Sequence, residues 1–131
     1  MGMKPGKNCV DIGIIVKDID KSLAFYQELL GLEKIGEMPV WFGKMHRMGF
    51  GDSFVKLIDP KKVPPAGPQG LHKGLGFRYL TFQITNIDEI CSDCERAGIT
   101  FELEKQELMP GVTIAMVLDP DGNVVEFVQR D

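Results

Sequence analysis

Two carboxylic acids, one amine and one phenol occupy equivalent positions of a sequence repeat. Asp11 aligns with Tyr79, which follows it by 68 residues, and Lys56 aligns with Glu126, which follows it by 70 residues. Carboxylates can transfer protons, an ammonium group can stabilise negative charge, and a phenol can donate a hydrogen bond. Because the two spacings are almost equal, we expect these side chains to take equivalent places in two copies of one structural unit.

The first copy is predicted to be a strand, a helix and three more strands. Residues 9–17 are rich in β-branched side chains, which favours a strand. Apolar residues then recur at helical spacing from Ile19, with N-cap oxygens offered by Asp18 and Asp20 and a glycine stop at Gly31. Extended segments are predicted near residues 32–38, 40–49 and 53–59, with breaks at Pro39 and at the turn of residues 49–52.

The same order of elements returns after a linker. Residues 61–76 are rich in proline and glycine, a composition that resists regular structure. A strand near 77–85 and a helix near 86–97, capped by Asn86 and ended by Gly98, follow the linker. Further strands are predicted near residues 99–107, 112–118 and 123–129. We therefore expect one domain, residues 1–131, with module one at about 8–60 and module two at about 77–131.

Composition limits the classes of protein to which the chain can belong. With 131 residues, of which 44% are hydrophobic, the chain is long enough to bury the core of one globular domain. A net charge of −4 without a long basic run argues against a nucleic-acid partner. No apolar stretch approaches the roughly 20 residues of a membrane span, and no secretory segment is evident. These features predict a cytoplasmic protein without a membrane partner.

Two of the three cysteines, Cys91 and Cys94, are predicted to be structural. An odd number of cysteines fits a reducing compartment better than a disulfide framework. Cys91 and Cys94 have the spacing of redox and zinc motifs, but both fall on the apolar stripe of the second helix. No second pair completes a zinc site, so we expect these thiols to pack in the core.

Three segments together carry a resemblance to a known family. They are residues 11–18, the helical residues 22–26 together with 30–32, and residues 119–127, which begin Asp-Pro-Asp-Gly-Asn. These segments resemble the vicinal oxygen chelate superfamily, which includes glyoxalase I, extradiol dioxygenases and bleomycin resistance proteins. The resemblance implies an α+β fold in which two βαβββ modules form a cupped mixed sheet. It also implies a homodimer, since similar proteins often form one.

The resemblance places the four aligned residues at the family's metal-binding positions. Those positions commonly carry His on the first strand and Glu on the last strand of each module, and here only Glu126 keeps the usual ligand type. A charged lysine has no lone pair, and at about 4 Å and an effective dielectric near 20 it opposes a divalent ion by roughly 8 kcal/mol. We therefore predict that Lys56 disfavours a divalent metal and that the site needs no cofactor. Were a metal bound, Glu126 and Asp11 would be its ligands.

The resemblance further implies that Asp11, Lys56, Tyr79 and Glu126 converge in the cup as catalytic residues. Lys56 would then take the metal's role and stabilise an oxyanion or enolate, while Glu126 acts as general base or acid and Tyr79 donates a hydrogen bond. A second interpretation is that Lys56 only neutralises Asp11 or Glu126 and takes part in no chemistry.

Residues of the predicted strand near 40–49, with Phe50 directly after it, are expected to bind a ligand. Because alternate side chains of a strand share a face, His46 could line the cup, although a surface or strand-edge histidine is the other interpretation. Trp41, Met48 and Phe50 could build an adaptable apolar pocket, or act as plain core.

These predictions support three functions. The first is a metal-free lyase or isomerase that acts on a carbonyl or carboxylate compound. The alternative is a non-catalytic protein that sequesters a small molecule, as bleomycin resistance proteins do. The third is a metal-dependent glyoxalase or dioxygenase typical of the family. The sequence leaves open the substrate and whether the modules pair within one chain or across a dimer.

Overall fold

The computed structural model describes all 131 residues and divides into two compact units, Met1–Pro64 and Pro65–Asp131. Each unit has the predicted order of one strand, one helical segment and three strands, so the α+β class and the two βαβββ modules are confirmed. Residues 61–76 contain no helix or strand. The assignment of both modules to one domain stays a prediction.

The first unit forms a four-stranded mixed sheet. Its strands run in the order β1-β4-β3-β2, with β1 parallel to β4 and the other neighbours antiparallel. The elements are β1 (Ile12–Ile15), α1 (Ile19–Leu23) with a π-helical continuation (Ala24–Leu29), β2 (Glu33–Val40), β3 (Gly43–Phe50) and β4 (Ser53–Pro60).

The second unit repeats this topology. The sheet order is β5-β8-β7-β6, and again the first strand is parallel to the last. The elements are β5 (Tyr79–Gln83), α2 (Ile87–Arg96), β6 (Phe101–Met109), β7 (Val112–Leu118) and β8 (Val124–Arg130). No helix in the protein combines the length and the hydropathy needed to span a membrane.

The first helical segment begins after Asp18, one of the two predicted N-caps, and ends before Gly31 as predicted; Asp20, the other predicted cap, lies inside the helix. The Asp18 carboxylate accepts hydrogen bonds from the backbone N–H groups of Asp20 and Lys21, at 3.1 and 3.3 Å, and so satisfies two donors that the helix leaves free. Gly31 follows the helix with φ of +82°, a value that favours glycine. These two local signals therefore set the length of the segment.

Pro39 does not separate two strands, and that prediction is wrong. It lies inside β2, opposite Lys44 of β3, and the chain reverses at residues 41–42 instead. Because β2 is at the edge of the sheet, a residue without an N–H group costs no ladder hydrogen bond on the outer side.

Asn86 occupies the N-cap of α2 but its side chain does not cap the helix, in contrast to the prediction. The amide of Asn86 donates instead to Glu89, at 3.4 Å. The Gln129 side chain, which comes from β8, accepts a hydrogen bond from the N–H of Ile87 at 2.8 Å. It therefore caps the N-terminus of α2 in place of Asn86. Gly98 ends the helix with φ of +73°, as predicted.

The turn between β7 and β8 is organised by one buried carboxylate. Asp119 accepts hydrogen bonds from the backbone N–H groups of Asp121 and Asn123 and from the Asn123 side chain, each at 2.9 Å. Gly122 supplies the positive φ that the turn needs. This turn fixes where β8 begins and therefore the position of Glu126 on it.

Each sheet has one face turned toward its helix. In the first unit α1 contacts β4, and the buried side chains on that face include His46, Met48, Val55 and Leu57. In the second unit α2 contacts β7 and β8, and the corresponding face includes Phe82, Ala115, Val125 and Phe127. We call these the helix faces, and we call the other face of each sheet the opposite face. Side chains that alternate along a strand with those of the helix face lie on the opposite face.

Candidate functional site

Glu126 lies on the opposite face of the second sheet, where a hydroxyl group orients it. β5 and β8 pair in parallel so that Thr81 is beside Glu126, and Thr81 Oγ1 donates a hydrogen bond to Glu126 Oε1 at 2.8 Å. Within its unit the carboxylate forms no ion pair. A partly buried carboxylate held in one orientation can accept or return a proton.

Tyr79 shares this face because it lies two residues before Thr81 on β5. The residue is 54% exposed. The structure therefore brings Tyr79 and Glu126 to one face of one sheet, with Thr81 next to Glu126. Sequence reasoning missed Thr81, although its place two residues after Tyr79 was a usable signal.

Asp11 is engaged by partners within the first unit. Its carboxylate accepts hydrogen bonds from Lys7 Nζ at 2.7 Å and from the backbone N–H of Phe54 at 2.8 Å. The Lys7 hydrogen bond, followed by that from Phe54, holds the pKa of the Asp11 carboxyl below its ordinary value. These contacts connect the segment before β1 to the start of β4.

Lys56 lies on the opposite face of the first sheet and forms no ion pair or hydrogen bond. Its charge lowers the pKa of Asp11 only at longer range, as a minor contribution. The interpretation in which Lys56 pairs with Asp11 is therefore wrong, because Lys7 takes that role. The residue opposite Lys56 on β3 is Arg47, a second cation that sequence reasoning missed.

The four predicted ligand-binding residues do not share the face of Lys56. His46, Met48 and Phe50 alternate along β3 with Arg47, so they lie on the helix face. Trp41 lies in the turn between β2 and β3 and is 87% exposed. The alternation was predicted correctly, but which face the helix covers was not visible in the sequence. Ligand binding by these residues stays a prediction.

His46 is a buried histidine without a hydrogen-bond partner at either ring nitrogen. It is 5% exposed and lies on an interior strand, so the interpretation as a surface or strand-edge residue is wrong. Glu37 on β2 lies close to it, with 3.6 Å between His46 Nδ1 and Glu37 Oε1. Hydrogen bonds from Lys34 and then Lys44 lower the pKa of Glu37 to about 2.

Burial lowers the pKa of His46, which predicts a pH-dependent stability. Desolvation is the largest cause and outweighs the attraction of Glu37; Lys34 and Lys44 also lower the pKa, whereas Asp59 raises it. Between the lowered folded pKa and the ordinary value of 6.5, the unfolded chain binds a proton that the folded chain does not. The contribution of His46 to the free energy of unfolding is therefore most favourable above pH 6.5. It decreases, by up to about 1.4 kcal/mol per pH unit, as the pH falls toward the folded pKa.

Substitution of His46 by leucine should remove this dependence. At pH 7 we expect His46→Leu to raise the free energy of unfolding by about 1 kcal/mol, because two buried polar atoms without partners are lost. Urea unfolding at pH 7.5 and 5.5 measures both effects. The matched control is His72→Gln in the exposed linker, which should leave the profile unchanged. A profile that this control alters equally would contradict the assignment.

The cysteines of α2 are structural, as predicted. Cys91 and Cys94 are free thiols and are buried. Burial raises the pKa of Cys91 and raises that of Cys94 to about 11. Both are therefore protonated near neutral pH and are poor nucleophiles.

The donor set does not fit the family's usual metal. Neither unit gathers three or more His, Cys, Asp or Glu side chains in a group that could hold a metal ion. Lys56, at one of the four family positions, has no lone pair to offer a metal while it is charged. Asp11, at another, already accepts a hydrogen bond from Lys7. The metal-free site nevertheless stays a prediction.

Similar solved structures share this fold. The crystal structure of SMU.1112c matches with a TM-score of 0.80 and 26% identity, over 95% of this chain and 99% of the other. TnmS3, an antibiotic-binding protein from Streptomyces sp. CB03234, matches with a TM-score of 0.72 and 23% identity, over 98% of this chain and 100% of the other.

Sequence relatives include lyases. A lactoylglutathione lyase of Schizosaccharomyces pombe is 29% identical over 140 residues; the match covers 89% of this chain but only 45% of that relative, so the chain spans about half its length. A probable lactoylglutathione lyase of Vibrio parahaemolyticus is 27% identical over 118 residues, which cover 88% of this chain and 85% of the relative. A family model matches residues 9–127. By that match, the chain belongs to the Glyoxalase/Bleomycin resistance protein/Dioxygenase superfamily.

Proposed function

We propose that this protein binds a small organic molecule and acts as a lyase or isomerase on a carbonyl or carboxylate compound, without the family's usual metal. The observation that carries the proposal is Glu126, the one family-type acid, which is oriented by Thr81 and has no cationic partner in its unit. The relatives named as lactoylglutathione lyases support a lyase.

Each catalytic group has a distinct part in this proposal. Glu126 removes a proton from the substrate and returns it, while the Thr81 hydroxyl holds the carboxylate in place. Lys56 stabilises negative charge that develops on the substrate, since its own charge is not neutralised within its unit. Tyr79 donates a hydrogen bond to the substrate. Asp11 positions β4, and hence Lys56, through the Phe54 N–H.

Sequestration of a small molecule without turnover is the second candidate. The antibiotic-binding protein TnmS3 has the same fold over nearly the whole chain, which favours this function. A metal-dependent glyoxalase or dioxygenase is the third candidate. The homodimer and the cytoplasmic location also stay predictions.

Metal analysis combined with turnover tests the proposal. Protein purified without chelators should contain much less than one equivalent of Zn, Ni, Mn or Fe. It should convert a member of a panel of carbonyl and carboxylate compounds, with lactoylglutathione included, and a chelator should leave the rate unchanged. A stoichiometric metal whose removal abolishes turnover would overturn the metal-free claim. Tight binding of a panel member without any conversion would favour sequestration.

A further inference from the structure

Two cations lie side by side on the opposite face of the first sheet. Arg47 on β3 pairs with Lys56 on β4, and the same row continues to Gly36 on β2 and Gly13 on β1. Directly paired residues of neighbouring strands project to one face. The row therefore consists of two cations flanked by two glycines across the four strands; we call it the cation row.

The charges of the cation row are not compensated within the unit. Neither Arg47 nor Lys56 forms an ion pair or a hydrogen bond, and the neighbouring carboxylate, Asp11, is occupied by Lys7. Like charges directly opposite each other destabilise a sheet. The chain has 19 acidic and 15 basic residues, so an excess of basic residues does not explain the pairing. A bound anion would offset the repulsion.

The glycine ends of the cation row have open space beside them, and the Arg47 side chain is held against an aromatic ring. A Cβ atom added at Gly13 or Gly36 would meet no atom within 4 Å, so neither flank is covered. The guanidinium carbon of Arg47 lies 4.2 Å from the ring centroid of Phe54, and Lys7 Nζ lies 4.4 Å from the same centroid. These cation–π contacts restrict the Arg47 side chain before any ligand arrives.

We infer that the cation row binds an oxyanion of the ligand, either a carboxylate or a phosphoryl group. The planar fork of Arg47 suits two parallel hydrogen bonds to such a group, and Lys56 adds a point charge beside it. This inference rests on the proposed function, because it names the ligand class that Lys56 would meet there. The substrate is then an anionic carbonyl compound rather than a neutral one.

Titration with two small anions tests the inference without any measurement of turnover. Inorganic phosphate and malonate are added separately to the full chain at about 0.15 M ionic strength, where long-range attraction is screened. Calorimetry gives the affinity, and the amide NMR signals of Gly13 and Gly36 report the location. We expect saturable binding of at least one anion, with both glycine signals shifted. The preferred anion distinguishes a phosphoryl group from a carboxylate.

Substitutions then assign the binding to the cation row. Lys56→Met and Arg47→Met should each weaken binding about tenfold or more, as the loss of a charged hydrogen bond does. Lys62→Met in the exposed linker makes the same change of charge and should weaken it less than twofold. If Arg47→Met fails to fold, Arg47→Lys keeps the charge but loses the fork and should still weaken binding severalfold.

Several results would overturn the inference. They are the absence of saturable binding for both anions, equal weakening by Lys62→Met, and binding that leaves the Gly13 and Gly36 signals unmoved. Failure of the proposed lyase function would look different. In that case the anion would bind the wild-type protein as expected, while no compound of the panel would be converted.

Discussion

Replacement of Glu126 by glutamine is expected to lower turnover by at least about a hundredfold and to change ligand affinity by less than about threefold. Glutamine has nearly the same size and keeps an oxygen that can accept the Thr81 hydrogen bond, so the local structure should persist. It cannot take up a proton, and a positioned general base contributes about 10²- to 10⁴-fold to rate. The measurement compares turnover with direct binding of the same compound.

Glu107→Gln is the matched control for this substitution. Glu107 is an exposed glutamate on β6 without an ion pair, so its replacement should leave turnover within about twofold. Equal losses of turnover and binding in Glu126→Gln would favour the sequestering function. Unchanged turnover would remove Glu126 from the role of base.

The largest loss of stability is expected for Phe127→Ala, at about 3–5 kcal/mol in the free energy of unfolding. Phe127 neighbours Glu126 in sequence but lies on the helix face, where it is 2% exposed. It is paired with Phe82 on β5 and with Ala115 on β7, both buried, so the removed ring leaves a cavity that its neighbours cannot readily fill. Urea unfolding followed by circular dichroism measures the loss.

Phe77→Ala is the control because Phe77 is 96% exposed and outside any strand. Its replacement should change the free energy of unfolding by less than about 0.5 kcal/mol. A loss below about 1 kcal/mol for Phe127→Ala would show that the ring is not tightly packed. Glu126→Gln should leave the free energy of unfolding nearly unchanged. Of the two neighbouring residues, Glu126 would then act in turnover and Phe127 in packing of the core.

The repeated βαβββ order was predictable because its signals are local. β-branched segments, helical spacing, the Asp18 cap and the glycine stops at Gly31 and Gly98 act within a few residues along the chain. The same reasoning failed at Pro39 and Asn86, where a distant part of the unit decided the outcome. Pro39 is tolerated because β2 has no outer neighbour, and the Gln129 side chain from β8 replaces Asn86 as the partner of the helix N-terminus.

The order of the elements, the duplication and the equivalent positions of Asp11, Lys56, Tyr79 and Glu126 in it follow from the amino-acid sequence alone. The face of each strand that the helix covers, and the neighbours of each residue across strands, follow from the folded arrangement of each unit. His46 was thereby placed in the core, Arg47 beside Lys56, and Thr81 beside Glu126. Strand register and helix packing depend on contacts between residues far apart in sequence, whereas a periodic pattern reports only the alternation along one strand.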